Sequence, residues 1–216
     1  MLPRLIRQSR AEVLISAGNF ALRKSPVPQI LLSRNALYTS ADFFRDLRAR
    51  RDYRLWLDRV SGGDDPLFHA IVEPQSARAF GVASYMRIDP AAGVIEVGGI
   101  NYAPPLQRTP AATEAMYLMM RRVFDELGYR RYEWKCDSLN APSRVAALRL
   151  GFRYEGMFRQ ATVYKARNRD TCWFSILDSE WPVLKTRFEC WLDPGNFDAA
   201  GRQRHSLSSF AQDARL

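Results

Sequence analysis

Histidine and cysteine are scarce in this chain. His69 and His205 are the only histidines, too few and too far apart to build a metal site. Cys136, Cys172 and Cys190 form no C-x-x-C pair. An odd, scattered set of thiols points to reduced cysteines and a reducing, cytoplasmic setting. No apolar run approaches the roughly 20 residues of a membrane-crossing helix. Internal repeats and low-complexity blocks are missing too. Acidic residues are nearly lacking from residues 1–41, where Glu12 stands against Arg4, Arg7, Arg10, Arg23, Lys24 and Arg34. Such a start suits a transit peptide into an organellar matrix, and suits a basic surface arm or an upstream start codon equally. What remains is a 216-residue chain of net charge +9, long enough for one compact core and biased towards anionic partners.

The most informative stretch is LQRTPAATEA, residues 106–115. Thr109 can cap a helix, and Pro110 then takes the first helical position, where a missing N–H costs nothing. Ala111 and Ala112 let a ligand approach the backbone, and Arg108 adds a formal charge. Unpaired first-turn N–H groups and the helix dipole attract phosphate. The spacing of Ala112, Met116, Met119, Val123 and Leu127 continues the helix to Gly128. Arg131 to Asp137 alternates like a strand with one buried face. Asn140 can cap a short helix over 140–152. Upstream, VIEVGGINY (94–102) reads as a strand, and Gly98–Gly99 suggest a bulge or a close backbone approach. The order strand, anion-ready loop, helix, strand forms a βαβ unit.

Flanking segments are plainer. Residues 64–75 and 79–89 read as a hairpin. Residues 158–165 and 171–177 read as a second, with ARNRD as its turn. Glu180–Leu192 is amphipathic through Leu184, Phe188 and Trp191 or Leu192. Residues 193–216 read as a loose tail, and 1–60 as a divergent segment holding a strand near 18–23 and helices over 40–51 and 53–60. The Arg121–Arg122 and Arg130–Arg131 pairs read as solvated charges, and no RNA-binding signature accompanies them, so nucleic acid is not an expected partner.

Several of these residues resemble the GNAT superfamily of acetyl-CoA-dependent N-acetyltransferases, and within it the Rim-type enzymes of ribosomal-protein N-termini. Gln107, Ala112 and Thr113-Glu114-Ala115 match that subgroup's phosphate loop, with Pro110 where its first glycine is expected. Asn140, Ser143, Gly151-Phe152 and Glu155-Gly156 match its second signature. A third stretch, 158–181, is similar to its C-terminal end, with Ala166 where glycine is expected. The resemblance implies an α+β fold over 61–192: a mixed, mostly antiparallel sheet flanked by helices, with a splayed strand pair. It implies acetyl-CoA as cosubstrate and no metal. It also implies an amine acceptor, a protein N-terminus or a small amine, and is compatible with a homodimer.

An amine must be neutral to attack a thioester, so a carboxylate that takes its proton helps. Glu96, in the strand before the loop, is the candidate base, and Ser143 the candidate proton donor to the leaving thiolate. Ile100, Gln107, Arg108, Thr109, Ala111, Ala112, Asn140 and Ser143 are the expected coenzyme contacts. Backbone N–H groups near Gly99–Asn101 would face the developing oxyanion. Each has a plainer reading: Glu96 as a strand residue, Ser143 and Asn140 as helix caps. The competing function is a non-catalytic module on the same scaffold that binds CoA or RNA.

Overall fold

The computed structural model describes residues 13–14, 21–24, 55–56, 59–60, 63–73 and 78–211. The helix expected over 40–51 lies outside them. Among the described residues an eight-stranded sheet is built from β1 (Val13–Leu14), β2 (Ala21–Lys24), β3 (Leu67–Glu73), β4 (Arg78–Asp89), β5 (Val94–Tyr102), β6 (Arg131–Asp137), β7 (Arg153–Tyr164) and β8 (Arg167–Leu177). Its order is β1-β2-β3-β4-β5-β6-β8-β7. Every neighbouring pair is antiparallel except β5 and β6. Their parallel pairing requires a crossover, and α1 (Pro110–Arg121) supplies it. This is the mixed, helix-flanked fold that the sequence implies. No described helix is long and apolar enough to cross a membrane.

The core lies on one sheet face. Ile95, Val97, Tyr132, Phe174 and Ile176 meet Met116, Met119 and Met120 of α1, with Leu184 and Phe188 of α3 (Trp181–Leu192) beside them. Each fully buried side chain of this size contributes about 1.5–3 kcal/mol. Two polar groups that enter find partners: Tyr85 donates to the Met119 carbonyl at 2.9 Å, and the Trp181 indole to Asp125 at 2.6 Å, whereas the Tyr129 and Tyr132 hydroxyls are buried without one among the described residues. After Arg121 the helix loosens into one π turn, Arg122–Glu126, and Gly128 at φ +69 ends it.

Three features differ from what the residue pattern suggests. Glu133 and Lys135 alternate with the core residues of β6, yet they too are largely buried, because ion pairs with Arg131 of the same strand, with each other and with Glu96 of β5 hold them. The second hairpin turns at Lys165–Ala166 rather than over 166–170. Both residues have positive φ, +48 and +58, which suits a two-residue hairpin turn. Over residues 194–211, where composition suggests looseness, the chain packs on α3. Asn196 is buried, donates to the Trp191 and His205 carbonyls, and accepts from the His205 amide.

The short helix α2 (Ala141–Arg149) ends in a Schellman pair: the Phe152 amide donates to Ala147 O at 3.1 Å and the Gly151 amide to Leu148 O at 3.1 Å. Gly151 carries φ +95, and a Cβ there would lie 2.6 Å from Leu184 Cδ2. Gly151→Ala is therefore expected to cost about 1–3 kcal/mol in equilibrium urea unfolding. An unchanged midpoint and slope would show that the α2–α3 contact tolerates a side chain there.

Candidate active site

β5 and β6 pair over four positions, from Val94↔Arg131 to Val97↔Trp134, and then part. Beyond that point β5 stays with β4 and β6 stays with β8. The register between β4 and β5 slips at Val82/Ser84, so β5 carries an extra residue in the stretch Gly98–Asn101. Gly99 makes the bulge practicable: its φ is +58, and a Cβ would lie 2.8 Å from Phe68 Cε1 and 3.0 Å from Ser84 Oγ. Ser84 holds the turn by donating to Gly98 O at 2.9 Å. The wedge between the strands opens into a cleft of about 3050 Å³.

One end of the cleft presents hydrogen-bond donors that lack protein acceptors among the described residues. The Leu106 and Gln107 amides turn back onto Ala103 O, and Gln107 Nε2 donates to Tyr102 O at 2.8 Å. Arg108 sits at φ +59 and aims the backbone into the helix start. Thr109 caps α1: its hydroxyl accepts from the Ala112 amide at a long 3.3 Å and donates to Leu106 O at 2.7 Å. Among the described residues no protein group accepts from the amides of Arg108, Thr109 or Ala111, and no carboxylate pairs with the Arg108 guanidinium. Successive free amides beside a positive-φ residue form an anion-binding concavity.

The far wall comes from the start of α2. Asn140 Oδ1 caps the helix by accepting from the Ser143 amide at 3.1 Å, which leaves its Nδ2 group for another acceptor. Ser143 Oγ accepts the Trp134 indole N–H at 3.0 Å. That bond fixes the oxygen and leaves the hydroxyl proton to donate. Ser143 also reaches Cys136, whose thiol burial pushes up while the Ser143 contact opposes the shift.

The third wall is the charged sheet face. Arg87 Nη1 donates to Glu96 Oε1 at 2.6 Å. Lys135 Nζ lies 2.8 Å from Glu96 Oε2, a charge contact without hydrogen-bond alignment, and 2.8 Å from Glu133. Arg131 continues the chain to Glu133 at 2.7 Å and grips Glu155 through two nitrogens. Lys135 stands 3.7 Å over the Trp173 ring, and Phe158 stacks on that ring at 4.7 Å. Glu96 is thus a buried carboxylate with a cation at each oxygen. To take a proton directly, one cation must give way.

Of the residues singled out in the sequence, Glu96, Ile100, Gln107, Arg108, Thr109, Ala112, Asn140 and Ser143 line this one cleft. Ala111 does not: its side chain is in the core, so only its amide can serve. Arg87, Lys135 and the Trp134–Ser143 bond belong to the site without a motif to mark them. Opposite charges at Glu96, Glu133 and Lys135, on the polar face of two expected strands, are the one signal in the sequence.

A family profile described as "Acetyltransferase (GNAT) domain" matches residues 28–153. A GCN5-related N-acetyltransferase from Brucella melitensis is 43% identical, with 98% of each chain covered and a TM-score of 0.84. A probable acetyltransferase of the GNAT family from Chromobacterium violaceum is 33% identical over 84% of this chain and 96% of its own, at TM-score 0.66. A proposed ribosomal-protein-serine acetyltransferase from Vibrio cholerae, 16% identical over 82% of this chain and 99% of its own, shares the fold at TM-score 0.62. No curated protein matches.

Arg131 and Ser175 hold the Glu155 carboxyl far below its ordinary 4.5, at about 2. A depressed acid stabilises the fold above its unfolded value and loses that contribution as pH falls towards the folded one. Solvent around Glu155 limits the effect to about 1 kcal/mol or less. Glu155→Gln should therefore be less stable than the parent at pH 7, with the gap closing between about pH 4.5 and 2. A gap independent of pH in denaturant titrations would contradict this.

Proposed function

Because the chain belongs to the acetyltransferase (GNAT) family, we propose that it transfers an acetyl group from acetyl-CoA directly to a primary amine in a ternary complex. The observation that carries the proposal is the row of unpartnered amides at Arg108, Thr109 and Ala111 beside an unpaired Arg108, at the mouth of a parted strand pair. A diphosphate satisfies those donors, and the pantetheine arm then runs along the parting towards Asn140 and Ser143. The coenzyme supplies an activated acyl carbon as a thioester.

The chain's own groups do the rest. The amine nitrogen forms its bond to the acyl carbon as the C–S bond breaks. The amine gives up one proton, and the sulfur gains one. Ser143 is the donor to the sulfur, its oxygen held by the Trp134 indole. Glu96 accepts the amine proton, through a water, on Oε2, where the Lys135 contact lacks hydrogen-bond alignment and gives way. The demand on that base depends on the acceptor. At pH 7.5 about a third of an α-amine is neutral, against about 0.1% of a lysine amine. A weakly available base therefore favours a protein N-terminus or another low-pKa amine, in keeping with a Rim-type assignment. A cytoplasmic setting fits the three free cysteines.

Acetyl-CoA at millimolar concentration is expected to raise the melting temperature, by the mass-action stabilisation of a ligand that binds only the folded state. Ser143→Ala should lower kcat about 10²-fold while KM for acetyl-CoA moves less than about threefold. Unchanged turnover in both Ser143→Ala and Glu96→Gln would remove these roles. Coenzyme binding without turnover on any amine panel would leave a binding module.

A further inference from the structure

Coenzyme A carries a second anionic group besides its diphosphate: a phosphate monoester on the ribose of its adenosine. We propose that Arg149, backed by Arg187, is the site for that monoester. The proposal rests on the coenzyme reading above and adds residues that neither the sequence motif nor the family match identifies.

Arg149 is the last residue of α2 and reaches across to the first turns of α1, where its Nη1 donates to Thr113 Oγ1 at 3.0 Å. Thr113 lies two residues beyond Ala111, about 3 Å further along the helix axis. The guanidinium therefore stands within about one helical turn of the unpaired amides. Diphosphate and ribose phosphate sit on one nucleotide, so their sites must be this close.

The charge around Arg149 is unbalanced. Elsewhere along the cleft, Arg87 pairs with Glu96 and Arg167 with Asp137. No carboxylate pairs with Arg149 or Arg187 among the described residues. Instead the two cations are neighbours: Arg187 Nη2 donates to the Arg149 carbonyl at 2.8 Å, and Arg187 Nε is buried with no acceptor. Burial pulls both guanidinium groups below their ordinary value, and the charge of Arg149 pulls Arg187 further. Two adjacent cations without a counter-ion repel each other, and a bound dianion reverses that term.

The groups that hold Arg149 are themselves fixed. The guanidinium lies 5.2 Å from the centre of the Trp191 ring, and the Trp191 indole donates to Gln203 Oε1 at 3.0 Å. Arg149, Trp191 and Gln203 all border the cleft. A fork held on one side by a hydroxyl and on another by a ring keeps donors free for two phosphate oxygens.

The alternative is that Arg149 merely ties α2 to α1 through Thr113. Calorimetric titration of the full chain with CoA and with 3′-dephospho-CoA separates the two. The parent is expected to bind CoA about tenfold more tightly or better. Arg149→Gln should bind both ligands alike, near the parent's affinity for the dephospho form. Should Arg149→Gln fail to fold, Arg187→Gln is expected to narrow the parent's preference about threefold. Equal affinity of the parent for both ligands, or a preference that survives Arg149→Gln, overturns the assignment while leaving the coenzyme reading intact. Binding of neither ligand by the parent overturns both.

Discussion

Two adjacent parallel strands that cannot stay paired make this molecule what it is. β5 and β6 share hydrogen bonds only as far as Val97 and Trp134. Past that point β5 follows β4 around a bulge at Gly99, where Ser84 and Phe68 leave no room for a Cβ. β6 meanwhile remains bonded to β8 as far as Asp137. Backbone groups freed where strands part need other partners, since an unpaired buried amide costs about as much as a lost hydrogen bond. A parted pair is thus a standing demand for a ligand with polar groups along its length. Helix α1 begins at the mouth of the same opening, so one ligand can satisfy the parted strands and the helix start together.

The sheet's second face explains how the opening is kept polar without collapsing. Arg87, Glu96, Lys135, Glu133, Arg131 and Glu155 run across β4, β5, β6 and β7 with alternating sign. Removing Lys135 at its centre would leave the buried Glu96 and Glu133 charges poorly compensated, the usual source of large losses in such networks. The same chain limits the chemistry. It fixes Glu96 firmly, with a cation at each oxygen. Under the proposed transfer, the row of side chains that holds the sheet face together would also bear on which amines can react.

Local chemistry was legible in the sequence, and distant pairing was not. Thr109 and Pro110 mark the start of α1 because capping depends on residues within one turn, and Asn140 marks the start of α2 for the same reason. Gly98–Gly99 flag the bulge because few other residues adopt its backbone. The hairpin turn escaped because Lys165 and Ala166 adopt positive φ without glycine, held by the strands on either side. Burial of Glu133 and Lys135 escaped because it depends on Glu96 lying beside them on the neighbouring strand. The Trp134–Ser143 bond joins a strand to a later helix, and Asn196 packs through groups on both sides of it. None of these contacts leaves a periodic trace.

The central claim is that the first-turn amides of α1 grip a diphosphate. The most direct check is a ¹⁵N-resolved NMR titration of the whole chain with CoA, following the backbone amides one by one. The account predicts that Arg108, Thr109, Ala111 and Ala112 shift most, downfield as their hydrogen bonds form. Saturable binding that leaves those four amides in place, with the large shifts elsewhere, would contradict it.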